Sequence, residues 1–416
     1  VAEDIATTSV PPASSTEGSA PPSATARAER RKKWLALAIS TVVTLFVTEC
    51  GLRVAKRDRA FQPDPDLIRS LEPNNPGRTP TWETDDNLNG RSDAIPDKPG
   101  QVVNPTNNVG FRMPEDVGPK GPNEKRILLL GDSYAEAYQV NVGERFSDIT
   151  DKRLRSDPAT AQWRLLNGGV ENGCPSQYSL QLKRWLPEFK PDIVIIALAP
   201  NDLADDLAYE RWYGFEFDAD GLPSAVKSRT MLWLLQKSYI LRYTETATLT
   251  GSPKLHDFLF RDAEPDTPRV MWQELACQGD DHSKALFEQK TGKYLVGLKK
   301  LVEASGAELG VVMVQYLYFF ENEAFYKPKA PGLPALLEKY GCYRTRGIPY
   351  QEFVESFLRR EGIPYRNPYE AFAKSEREHP KRKLWNFFDY HYSPAGHEIM
   401  ADALTDLARE MIGVQR

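Results

Sequence analysis

Ile193 to Leu198 is an unbroken apolar run, too short for a helix of its own and lacking a polar face. A strand of that kind has to be covered on both sides, which is the condition inside a parallel sheet. Arg126-Ile-Leu-Leu-Leu130 and Leu309-Gly-Val-Val-Met-Val314 read the same way, and Trp163-Arg-Leu-Leu-Asn167 and Pro364–Arg366 are shorter strands. Helical stretches alternate with them. Residues 143–155 carry Phe146, Ile149 and Leu154 on one face, and 178–185, 284–304 and 350–361 follow. A last helix begins at Ser393-Pro394, a Ser N-cap with Pro in the first turn. Strands alternating with helices predict a three-layer α/β/α sandwich around a mainly parallel sheet. Ligands of such folds bind beyond the carboxyl ends of the strands.

The layout before and within that pattern is uneven. Residues 1–26 are mostly Ala, Pro, Ser and Thr, so 1–33 is expected to be a disordered tail ending in Arg27, Arg30, Arg31, Lys32 and Lys33. An uncharged apolar stretch runs from Trp34 to Thr48 and continues past Glu49 and Arg53. It is short against the roughly 20 residues of a comfortable bilayer span. No small-x-small cleavage site follows it, so we read 34–55 as an uncleaved transmembrane anchor rather than a signal peptide. The basic cluster before it predicts a cytoplasmic N-terminus and an extracytoplasmic remainder. Residues 56–122, rich in Pro, Asp, Asn and Gly, are expected to be a stalk and lead-in, with Asn108-Val-Gly-Phe-Arg112 packing on the main domain. That domain is 123–416, with a less regular insertion at about 203–280 that includes an expected helix at 228–246.

The net charge of −5 offers no basic bias toward nucleic acid. Cys50, Cys174, Cys277 and Cys342 lack zinc-site spacing. An exported domain has room for one disulfide among the last three. Cys277–Cys342 is preferred because both lie late in the chain, with the other pairings open.

Chemistry-bearing residues collect at the expected strand ends. Gly131-Asp132-Ser133 follows the strand at 126–130 and opens a helix, so Ser133 stands on a sharp strand-to-helix turn. A hydroxyl there is exposed at the sheet edge, beside free N–H groups and the positive end of a helix dipole. Asn167-Gly-Gly-Val-Glu-Asn-Gly173 follows the second strand, and Ala199-Pro-Asn-Asp202 follows the third. Asp389-Tyr-His391 precedes Ser-Pro-Ala-Gly396 and the last helix. Asp132 reads as a turn residue and His397 as a packing or surface residue of the last helix. His256, His282 and His379 have no partners in sequence and no assigned role. Neither metal nor cofactor is expected.

Taken together, these motifs resemble the SGNH, or GDSL, hydrolase superfamily over roughly 124–202 and 306–412, with its flavodoxin-like fold. The likeness extends to membrane-anchored, bacterial exported members. It implies Ser133 as nucleophile, His391 as general base and then acid, and Asp389 as the group that orients the imidazole. It implies an oxyanion site made by the Ser133 N–H, the N–H of Gly173 and the Asn201 side chain, with Asn172 as the alternative for the glycine position. The final spacing is Asp-x-His where the family has Asp-x-x-His. Residues two apart in extended chain point the same way, so Asp389 still has reach. Some related polysaccharide O-acetyltransferases share the tighter spacing.

Three functions stay open from sequence. The first is a serine esterase of the periplasm, held in the cytoplasmic membrane, that removes acyl groups from a small molecule or a glycan. The second is an acyltransferase that passes the acyl group to a sugar hydroxyl. The third is a glycan-binding scaffold that kept the fold without the chemistry.

Overall fold

The computed structural model describes residues 24–55, 81–83, 101–103, 107–227, 266–320, 333–380, 382–386 and 391–414, with single positions between 238 and 264. Asp389 and most of the expected helix at 228–246 lie outside the described residues. The chain divides into two units, 1–55 and 56–416.

The first unit is a single helix, α1 (Ala24–Ala55). It starts ten residues before the expected anchor, so 24–33 is helical rather than part of a disordered tail. The basic residues at 30–33 have no competing structure, and the apolar turns that follow propagate a helix backward through them. The stretch Glu29–Leu52 is long and apolar enough to cross a membrane. Its large side chains, among them Trp34, Leu37, Val42 and Phe46, are exposed.

In the second unit, β1 (Thr81–Glu83) and β2 (Gln101–Val103) form a small antiparallel pair. The main sheet starts with β3 (Lys125–Gly131), followed by the one-turn helix α2 (Ser133–Glu136) and α3 (Phe146–Ser156). Then come β4 (Trp163–Asn167), α4 (Pro175–Phe189), β5 (Ile193–Leu198) and α5 (Asp202–Tyr213). A hairpin of β6 (Phe215–Phe217) and β7 (Pro223–Val226) opens the insertion. After it stand α6 (Lys293–Ala304), β8 (Glu308–Met313), α7 (Ile348–Arg360), β9 (Tyr365–Arg366), α8 (Tyr369–Glu378) and α9 (Pro394–Ile412).

The sheet is five-stranded, in the order β4-β3-β5-β8-β9, and every pairing is parallel. Helices α3 and α9 pack together over one face, and α4 and α6 over the other. This is the expected three-layer α/β/α arrangement. The central strands are fully enclosed: Ile127 to Leu130 and Val194 to Leu198 have no accessible surface. That is why their sequences are apolar at every position instead of alternating. The chain steps from β3 outward to β4, then crosses back to β5 on the other side of β3. The order therefore reverses at β3, and the crevice between the carboxyl ends of β3 and β5 is the switch point where such sheets take ligands.

Three further observations position the site. Phe111 is buried with its ring edge-on to Trp185, 4.9 Å between centroids, and so ties the Asn108–Arg112 lead-in to the core. The start of the insertion meets α4: Tyr209, Tyr213, Phe215 and Val226 make a small apolar cluster with Cys174 and Leu180. Cys277 and Cys342 form a disulfide, and Cys174 is a buried free thiol.

Candidate active site

Gly131 ends β3, and Asp132 turns the chain by accepting the Tyr134 N–H on its own carboxylate at 2.9 Å. The helix that follows lasts one turn, stopped by Ala137 in the left-handed conformation. Ser133 is its first residue, half-buried at the carboxyl edge of the sheet. His391 meets it from a distant part of the chain: Nε2 lies 2.7 Å from Ser133 Oγ. The two residues are 258 apart in sequence. His391 is held by a short antiparallel pairing of 384–386 with 391–393. Asn386 N–H donates to the His391 carbonyl at 2.6 Å, and the Ser393 N–H donates to the Leu384 carbonyl at 3.0 Å. Gly396 makes this pairing feasible, because a Cβ there would sit 2.2 Å from the Leu384 carbonyl oxygen.

The Gly168–Gly173 turn leans directly on the Ser133–Glu136 helix. A Cβ on Gly169 would stand 2.6 Å from the Ala135 Cβ and 2.7 Å from the Glu136 nitrogen, so only glycine allows that approach. Asn167 ties the two together, donating from Nδ2 to the Ala135 carbonyl at 2.9 Å and accepting the Gly169 N–H at 3.0 Å. Gly173, expected to supply an oxyanion donor, spends its N–H on the Val170 carbonyl at 2.8 Å. The turn closes through that bond, so the donor is committed within the loop. Asn172 has a φ of 59°, the left-handed region. Among the described residues, its N–H and that of Ser133 have no hydrogen-bond partner within the fold.

Asn201 follows β5 and faces the same crevice. Its Nδ2 donates to Asp205 Oδ2 at 2.5 Å, and its Oδ1 accepts the Tyr316 hydroxyl. Asp132, Asp202 and Asp206 are buried nearby, and Asp205 is half-buried. Burial, opposed by the Tyr134 N–H and the charge of His391, pushes the Asp132 carboxyl up to about 6. Burial and the Asp132 charge push Asp205 up to about 8, and burial raises Asp206 to about 6. Asp206 is held by the Ser176 N–H at 2.8 Å and the Thr291 hydroxyl at 2.6 Å.

Several side chains that sequence reading left without a role belong to this site. Glu136 is fully buried, pairs with the buried Arg112 at 3.4 Å and accepts the Glu171 N–H at 2.7 Å. Burial drives its carboxyl up to about 7. It thus couples the lead-in segment to the glycine turn. Aromatic rings line the other side. Tyr134 packs on the His391 ring at 4.6 Å and stacks on Tyr316 at 5.3 Å. Trp272 meets Tyr316 edge-on at 5.3 Å and stacks with Tyr318 at 5.5 Å. Trp272 and Tyr318 are half-buried. The only signal for these residues in sequence is placement, since Tyr316 comes just after a strand end and Asp205 one helical turn after Asn201. His397, by contrast, is a core residue: its Nδ1 accepts the Phe146 N–H at 3.3 Å and burial pushes its imidazole down to about 3. Among the described residues no group of His, Cys, Asp and Glu is arranged to hold a metal ion.

The chain matches no protein-family model, and no curated protein sequence matches it. Solved structures do resemble it. The acetyl xylan esterase AlAXEase aligns over 68% of this chain and 98% of its own, at 10% identity and a TM-score of 0.36. TesA aligns over 69% and 99%, at 11% identity and 0.34. Axe2, an acetylxylan esterase from Geobacillus stearothermophilus, aligns over 70% and 95%, at 14% identity and 0.33.

Proposed function

We propose that this chain is a serine ester hydrolase of SGNH type, working through an acyl-enzyme on Ser133. The observation that carries the reading is the 2.7 Å approach of His391 Nε2 to Ser133 Oγ, at the switch point of a parallel sheet. A serine hydroxyl is a weak nucleophile until a base takes its proton. His391 takes that proton as Oγ bonds to the ester carbonyl carbon. The negative charge that develops on the carbonyl oxygen is met by the N–H groups of Ser133 and Asn172 and by the Asn201 amide. We assign Asn172 in place of Gly173 because the Gly173 N–H is already bonded to Val170. The intermediate then expels the alcohol, which leaves with the proton from His391. Water, deprotonated by His391, attacks the acyl group and frees Ser133. Asp389 is the proposed partner of the second imidazole nitrogen.

The substrate we propose is an O-acylated glycan. Support comes from the aromatic arc of Tyr134, Tyr316, Trp272 and Tyr318, which runs from the histidine to half-exposed rings. Flat aromatic faces with polar edges suit sugar rings. The same arc favours a second reading, transfer of the acyl group to a sugar hydroxyl. Helix α1 is the proposed anchor in the cytoplasmic membrane, with the catalytic unit on the periplasmic side. The Cys277–Cys342 disulfide supports an oxidising compartment.

The test is turnover of p-nitrophenyl acetate with and without a sugar acceptor. Hydrolysis that falls on the order of 1,000-fold or more in Ser133→Ala is expected. An acyl-sugar product that depends on acceptor selects the transferase. No turnover, together with no labelling of Ser133 by a fluorophosphonate, would leave a glycan-binding scaffold and sink both enzyme readings.

A further inference from the structure

Asn201 supplies a side-chain amide with two N–H donors and one acceptor. The acceptor is taken by the Tyr316 hydroxyl, so the amide cannot flip without losing that bond. One N–H goes to Asp205 Oδ2 at 2.5 Å. Asp205 lies four residues on, one turn along α5 and on the same side. The amide therefore has its plane and rotation set from two directions, by Asp205 from its own helix and by Tyr316 from the segment after β8. This leaves the second N–H on the side of the Asp132–Ser133 turn.

We propose that Asp205 is a positioning residue for the ester chemistry: its carboxyl holds the Asn201 amide for the oxyanion. The proposal rests on the reading of Ser133 and Asn201 given above. The charge environment favours the uncharged form. The groups facing Asp205 are Asp132 on the nucleophile turn, Asp202 and Asp206 on its own helix, the Cys174 thiol before α4 and the Tyr316 phenol after β8. Each of these is neutral or negative. A second carboxylate beside Asp132 meets like charge in a poorly solvated place, which favours holding a proton. Consistent with this, the Asp205 carboxyl is pushed up to about 8. A neutral Asp205 still offers Oδ2 as an acceptor. An ionised one places a full negative charge two hydrogen bonds from the carbonyl oxygen that must itself become negative, and it opposes the transition state.

Steady-state kinetics of the full chain on p-nitrophenyl acetate from pH 6 to 9.5 test this, with Asp205→Asn, Asp205→Ala, Asn201→Ala and the double variant of Asn201 and Asp205. Asp205→Asn keeps the acceptor and cannot ionise. It should hold kcat within about threefold of wild type at pH 7 and remove the fall in kcat that wild type shows around pH 8. Asp205→Ala should lower kcat on the order of 100-fold with KM nearly unchanged, the size of a lost oxyanion donor. The double variant should be no slower than Asn201→Ala, because Asp205 acts through Asn201. A wild-type alkaline fall in Asp205→Asn overturns the proposal, as does a wild-type kcat in Asp205→Ala. If Asp205→Ala does not fold, the Asp205→Asn profile decides alone. Fluorophosphonate labelling of Ser133 separates the two levels. A labelled, active wild type whose pH profile ignores Asp205 overturns only this inference, whereas an unlabelled, inactive wild type overturns the esterase reading and this one with it.

Discussion

His397 and His391 are six residues apart, and the difference between them is solvation. His391 is half-buried and meets a serine; His397 is sealed against Phe146, with its ring stacked at 5.6 Å and its Nδ1 accepting a backbone N–H. Burial, the Arg145 charge and the His391 charge keep the His397 imidazole neutral, with its pKa down at about 3. In the unfolded chain the ring protonates near 6.5. Below that pH the unfolded state binds the extra proton, so the stability contributed by neutral His397 is intact above 6.5 and is lost as pH falls toward 3. The loss is at most ~1.4 kcal/mol per pH unit. His397→Asn keeps an acceptor for the Phe146 N–H without a titrating group. Thermal melts between pH 4 and 7 should show a shallower acid decline for His397→Asn than for wild type; parallel declines would assign the acid sensitivity elsewhere. Sequence alone does not report this difference in solvation, because a histidine's neighbours across the fold decide whether it is solvated.

The helix that carries Ser133 is only Ser133–Glu136, yet it meets the glycine turn, the lead-in and the histidine loop. A single turn has almost no stability of its own. What fixes it is the buried Arg112–Glu136 pair and the Glu171 N–H that Glu136 accepts. Removing one partner of a buried ion pair leaves the other charge uncompensated, at about 3–5 kcal/mol. Glu136→Gln keeps an acceptor for Glu171 but abandons Arg112. Urea unfolding at about pH 8.5, above the Glu136 value of about 7, should register a loss of about 3 kcal/mol, and a change under 1 kcal/mol would show that Arg112 draws its compensation from elsewhere, such as its contact with Tyr138. The strands and the last helix were legible as elements because their signals are local: apolar runs for β3, β5 and β8, and a Ser-Pro start for α9. The stretch read as one helix at 284–304 includes a widened turn at Glu288–Gly292, which carries Thr291 to the Asp206 carboxyl. Helical periodicity does not report such a widening, since one extra residue in a turn hardly disturbs the apolar spacing.

At the scale of the whole molecule, the two units divide at Ala55. Helix α1 exposes its apolar side chains along its length, while the sheet and its helices enclose a continuous core of their own. Expressed from residue 56 onward, the chain should therefore keep full esterase turnover per mole and move from the membrane pellet to the soluble fraction. Retention in the pellet after alkaline carbonate washing would place the membrane-binding surface in the second unit instead.

The amino-acid sequence by itself determined the class of fold and the roster of strand-end residues. Hydrophobic pattern and turn chemistry are local properties, and a parallel sheet brings every strand's carboxyl end to one edge. Only the tertiary structure decided which groups on that edge meet. It set His391 against Ser133, bound the Gly173 N–H to Val170, turned Asn172 left-handed, and enclosed Asn201 between Asp205 and Tyr316. Those outcomes depend on distances between elements far apart in the chain, and on how much water the packing leaves around each charge.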